Sequence, residues 1–252
     1  MKSQLGDNEQ PRKTVPQEMT TIRDSNANAE KSVVSAISSL KEIVTIVTGV
    51  TVTNGMAMFL TGGDYVNVKS LRDLSFQGIV LFLLLMANII RFYHRNMRHL
   101  DTIYVEADSS WRVKEVGGKR VAFDFFAIFG ESLFFASLSF YLGRPTEFFA
   151  IFTSLLIVDV VWCLGGYQYT PDRERFEHQK RWALNNTIAV FSLLAVIAAS
   201  SILQAAFLFY LLSSVIILNT TVDFVVSRGL YFPSLCGKKT PEAVELNKDQ
   251  DR

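Results

Sequence analysis

The stretch "MANIIRFYHRNMRHLD", Met86 to Asp101, joins an oily run to five basic side chains: Arg91, His94, Arg95, Arg98 and His99. The run begins near residue 77 and contains "LFLLL" before the first charge. A helix of about 20 apolar residues crosses a hydrocarbon core of about 30 Å. Basic charge gathered at one end of such a segment marks its exit on the cytoplasmic side. On this reading Arg91, Arg95 and Arg98 pin the end of the helix and contact anionic lipid headgroups, with Tyr93 and Trp111 in the interfacial aromatic belt.

The same pattern recurs along the chain. Six apolar runs lie at roughly 41–60, 77–93, 121–141, 147–167, 185–200 and 203–225, the last two joined by a tight turn at Ser200 and Ser201. Apolar residues make up 49% of the 252, with 20 Phe, which exceeds the needs of one water-soluble core. Only a helix satisfies its own backbone in lipid without closing a barrel. The predicted fold is therefore an all-α integral membrane protein of six transmembrane helices. No cleavable secretory signal precedes the first run, so that helix is expected to direct its own insertion.

The cationic residues orient the bundle. Of 25 Lys and Arg, six lie in the N-terminal tail to Lys41, seven in Arg91–Arg120, four around "PDRERFEHQKR" and five after Val226. Only Lys69, Arg72 and Arg144 lie in the loops between. The bias alternates at every crossing and predicts both termini on the cytoplasmic side, in the cell membrane. Cys163 and Cys236 then face the reducing compartment, and no disulfide is expected. Residues 1–35 and 229–252 are polar tails predicted to be disordered. The segment 94–120 is the largest cytoplasmic loop, and its first part is predicted to continue the second helix. The "PDRERFEHQKRWALNN" segment reads as an amphipathic lead-in to the fifth helix, opened by Pro171 and Asp172.

Candidate functional residues are the polar groups inside these helices, because ionisable side chains in a bilayer are costly and turn inward. Glu131 lies near the middle of the third span and Asp159 near the middle of the fourth. Asn88, Asp159 and Asn219 occupy similar depths in the three even-numbered helices, a weak threefold pattern that reads as three helical hairpins. Glu131, Asp159, Asn88 and Asn219 are the predicted ion- or proton-binding group of a cytoplasm-facing cavity. Arg91, His94, Asp124 and Asp223 are its predicted mouth. The competing reading pairs the same groups in structural bonds, such as Arg91 with Asp159 or Asp223. In the first helix, Thr45, Thr48, Thr51 and Gly55 fall close to one face, which suits close helix packing or a hydrated path.

The sequence contains no G-x-S-x-G, H-E-x-x-H, P-loop or G-x-G-x-x-G motif and no TVGYG filter. No catalytic residue, metal or cofactor is predicted, and the basic loops offer no case for nucleic acid. Three functions are compatible with these residues. The first is a transporter or channel for a small ion or solute, using the midmembrane carboxylates; a pore would call for a homo-oligomer. The second is an interaction, signalling or assembly protein acting through loop 94–120. The third is a lipid-modifying enzyme with His94, His99, Asp101 and Asp223 gathered at the interface.

Overall fold

A computed structural model describes residues 17–62, 75–105, 118–168 and 177–231. The regular elements among these residues are all helical. Helix α1 spans Gln17–Thr61 and α2 spans Phe76–Leu100, continued by a π-helical turn over Asp101–Val105. Helix α3 spans Gly118–Phe140, α4 Pro145–Gln168, α5 Glu177–Ala198 and α6 Ala205–Val226. A 3₁₀ turn, Ala199–Ser201, links α5 to α6, and the short α7 covers Arg228–Tyr231. Six of these helices are long and apolar enough to cross a membrane.

Local chemistry sets the ends. The Ser75 hydroxyl accepts from the Gly78 amide at 3.0 Å and caps α2. Pro145 opens α4, where its missing N–H costs nothing. Gly62 closes α1 with φ 64°, a conformation that favours glycine. At its other end α1 starts at Gln17, well before the predicted boundary at 41 and inside the tail predicted to be disordered. Residues 17–48 contain neither Pro nor Gly to stop a helix, and Ile37, Leu40 and Val44 give it a buried face. The continuation of α2 past residue 93 follows the expectation from sequence.

Two apolar clusters build the interior. One gathers Leu81, Leu85, Phe135, Phe149, Leu156 and Ile216. The other gathers Leu40, Leu100, Ile128, Trp162 and Trp182. The second lies toward the end of the bundle that carries Lys41, Asp101, Arg120, His178 and Tyr231, here called the basal end. Gly55 lets α1 and α2 approach closely, since an added Cβ would lie 3.1 Å from Leu85 Cδ2. The outward surface is oily: Phe126, Phe191, Leu184 and Ile188 are all at least 60% exposed, as lipid-facing side chains are.

Candidate functional site

Between the two apolar clusters lies a layer of buried polar groups strung on α2. Asn88, Arg91, Arg95 and His99 recur at spacings of three and four, so they share one helix face. All four are fully buried. The sequence reading of Arg91 and Arg95 as headgroup contacts is thus corrected: they point into the bundle. A basic residue near a helix end serves a headgroup or an internal carboxylate equally well. The neighbouring helices supply the carboxylates here.

Arg91 donates from Nε to Asp223 Oδ2 at 2.7 Å and from Nη2 to Asn186 Oδ1 at 2.7 Å. Its Nη1 donates to Asn219 Oδ1 and lies 3.5 Å from Asn88 Oδ1. Thr220 Oγ1 donates to Asn88 Oδ1 at 3.1 Å, closing the network between α2 and α6. Tyr231 holds Asp223 from the far side, its hydroxyl donating to Oδ2 at 2.6 Å. Burial pushes the Tyr231 hydroxyl above its ordinary range, so it stays a neutral donor.

Arg95 forms a two-pronged pair with Asp159, which also accepts from the Asn186 side-chain amide. The Arg95 guanidinium lies 4.4 Å from the Phe92 ring centroid, 4.8 Å from Trp182 and 5.6 Å from Trp162. Glu131 is held differently. Its Oε2 accepts from Asn96 Nδ2 at 2.9 Å, while its Oε1 makes no hydrogen bond and stands 3.6 Å from Arg95 Nη2. Nearer the basal end, Asp124 accepts from Tyr104 at 2.6 Å, Trp162 Nε1 at 2.8 Å and Arg120 Nε at 3.1 Å. His99 Nε2 lies 3.6 Å from the same carboxylate, and His99 Nδ1 lies 3.3 Å from His178 Nε2.

The structure therefore brings Asn88, Asn219 and Asp159 into one network through Asn186. It places Glu131 beside Asp159 across Arg95. The predicted open mouth is corrected. Arg91, Asp124 and Asp223 are at most 1% exposed and closed off by their partners. His94 is half-buried, with Nε2 2.9 Å from the Tyr231 carbonyl oxygen. Asp101 pairs with Lys41 at 2.6 Å, His99 lies beside Asp124 and His178, and His94 and Asp223 share Tyr231, so the four do not form one cluster. Sequence reasoning missed Asn96 and Asn186 and the inward role of Arg95. The three-and-four spacing of Asn88, Arg91, Arg95 and His99 on the same face as Leu81, Leu84 and Leu85 was the available signal. Trp111, Pro171, Asp172 and Cys236, with residues 106–117 of the loop 94–120, lie outside the described residues. Cys163 is buried.

The charges do not balance pair for pair. Among the described residues the buried charged side chains are Arg91, Arg95 and Arg120 against Asp124, Glu131, Asp159 and Asp223, with His99 beside Asp124. Asp223, Asp159 and Asp124 each engage a guanidinium by hydrogen bond. Glu131 is the carboxylate left over. An uncompensated charge in such a place is costly and is neutralised by a proton or a cation.

Compared with protein-family models, curated proteins and solved structures, the chain matches none. Six apolar helices around a polar interior define a multi-pass integral membrane protein.

Proposed function

We propose that this protein transports a small cation, with the proton as the ion handled at Glu131, and that its basal end and both termini face the cytoplasm. The observation that carries the reading is the surplus carboxylate. Glu131 sits near the middle of α3, is 1% exposed, and has one oxygen without a hydrogen bond. A carboxylate whose one nearby guanidinium, Arg95, is already bonded to Asp159 gains by binding a further positive charge, and a carrier needs such a group in mid-membrane. The orientation rests on the excess of Lys and Arg in alternate segments.

In this reading the four-membered set divides its labour. Asp159 holds Arg95, and Asn88, Asn186 and Asn219 hold Arg91, so both guanidiniums are fixed. Glu131 gains or loses a proton within reach of Arg95. Gain leaves a neutral carboxylic acid and frees Arg95 wholly to Asp159. Loss restores a second anion 3.6 Å from the same guanidinium. The reversible change in charge beside Arg95 is the event that would drive a change in helix packing.

Flux in proteoliposomes tests this directly. Purified protein is exposed to imposed proton, sodium and potassium gradients, beside Glu131→Gln at matched amounts of folded protein. Wild-type flux that is lost in Glu131→Gln, with unchanged gel-filtration behaviour, is the expected result. No flux under any gradient overturns the proposal.

A further inference from the structure

Two spaces flank α1 and α2, and Tyr93 is a wall of both. The outer one is an open crevice of about 660 Å³, lined by Lys41, Glu42, Thr45 and Tyr93 toward the basal end. The inner one is a small pocket of about 10 Å³ among α1, α2 and α3. Its lining includes Thr48, Thr51, Asn96, Glu131 and Ser132. Its volume is close to the smallest that holds one water.

The groups around these spaces form a graded polar series. Thr45, Thr48 and Thr51 follow one another at intervals of three residues, each about 4.5 Å further along the α1 axis. Thr45 borders the crevice; Thr48 and Thr51 border the pocket. Thr45 Oγ1 donates its single hydrogen to the Lys41 carbonyl at 2.7 Å. Tyr93 must therefore be the donor in its 3.1 Å contact with Thr45 Oγ1. That bond ties α1 to α2 at Tyr93, the wall that the two spaces share. Inside, two acceptors lack hydrogen bonds, Glu131 Oε1 and Asn96 Oδ1, and both residues are at least 97% buried. A single water can donate to both oxygens, and a buried water typically makes about three bonds.

We infer that the α1–α2 crevice is the route by which protons reach Glu131, with one water bridging Asn96 and Glu131 and the Tyr93–Thr45 hydroxyl pair as the gate. The inference rests on the reading of Glu131 as the proton-exchanging group. A hydronium ion arriving along the threonine hydroxyls gives its proton to Glu131 Oε1, leaving a water and a neutral carboxylic acid. The groups facing Glu131 are Arg95 and Asn96 from α2, Asp159 from α4, Ser132 from α3, and Thr48 and Thr51 from α1.

Infrared spectroscopy of the full-length protein in lipid tests the route apart from transport. The carboxylic acid carbonyl band of Glu131 is identified by its loss in Glu131→Gln, and its shift in deuterated buffer is timed. Tyr93→Phe removes the gating hydroxyl and is expected to speed that shift at least tenfold. Thr48→Phe fills the pocket and is expected to slow it by a similar factor. Thr48→Val, which keeps the volume and removes the hydroxyl, serves in its place if the larger side chain prevents folding, and is also expected to slow the exchange. If wild type has the band but none of these changes alters its rate, the crevice is not the route and Glu131 remains a proton carrier by another path. If wild type lacks the band, Glu131 is ionised, and both the route and the proton-carrier reading fall.

Discussion

The Arg95 guanidinium donates to both oxygens of Asp159 while lying against Phe92, Trp162 and Trp182. Both contacts need a planar fork, which lysine lacks. Arg95→Gln is expected to lower stability by about 3–5 kcal/mol, because it strands two carboxylates in the interior. Arg95→Lys should recover only part of that loss. Thermal unfolding in detergent measures both, and an unchanged midpoint in Arg95→Gln would show that the pair carries no structural load. Glu131 and Asp159 should separate in the same assay. Asp159→Asn breaks a direct ion pair and costs about as much as Arg95→Gln. Glu131→Gln keeps the bond from Asn96 possible and removes the surplus charge, so its midpoint should stay near wild type or rise. Equal losses in the two variants would contradict the division of roles proposed for them. At this scale the sequence was informative about carboxylates and not about arginines. A mid-helix Glu or Asp has few places to go in lipid. An arginine near a helix end has two, and only the partners on α4 and α6 decide between them.

Among elements, α4 and α5 meet at Gly166, where backbone comes close to buried side chains. A Cβ there would lie 2.6 Å from Gln179 Oε1 and 2.8 Å from Arg120 Nη2. Gly166→Ala should therefore cost about 1–3 kcal/mol through forced repacking, read as a lower unfolding temperature; no shift would mean that both side chains can move away freely. The short α7 is tied to the bundle by Tyr231, whose hydroxyl donates to Asp223. Because burial raises its pKa, the unfolded chain loses this proton first as pH rises. The stability contributed by this group is complete below about pH 10 and declines above it. Tyr231→Phe should weaken that alkaline decline and cost about 1 kcal/mol at neutral pH. Chemical unfolding at pH 7 and above pH 10 checks both parts. The sequence placed the six helices well, since each apolar run is continuous. Ends were harder. Helix α1 begins at Gln17, well before its apolar run, because no Pro or Gly stops it there, whereas the continuation of α2 to Leu100 was expected from sequence.

Across the whole molecule, the polar interior lies between two apolar clusters inside an oily exterior. Ion pairs enclosed in this way are poorly screened by salt. The unfolding temperature should therefore change little between low salt and about 1 M salt, and a marked fall would mean that solvent reaches these pairs. What the sequence alone determined is the class of molecule. Apolar length and the need to satisfy the backbone in lipid depend on local composition, so a run of 20 residues reads the same in any fold. The list of costly intramembrane groups followed from the same local rule. Only the tertiary structure decided which of those groups meet. It turned Arg91 and Arg95 inward, recruited Asn96 and Asn186, joined Asn88 to Asn219, and left Glu131 as the carboxylate in excess. Those outcomes depend on the rotation of each helix about its axis, which is set by contacts between segments far apart in the chain.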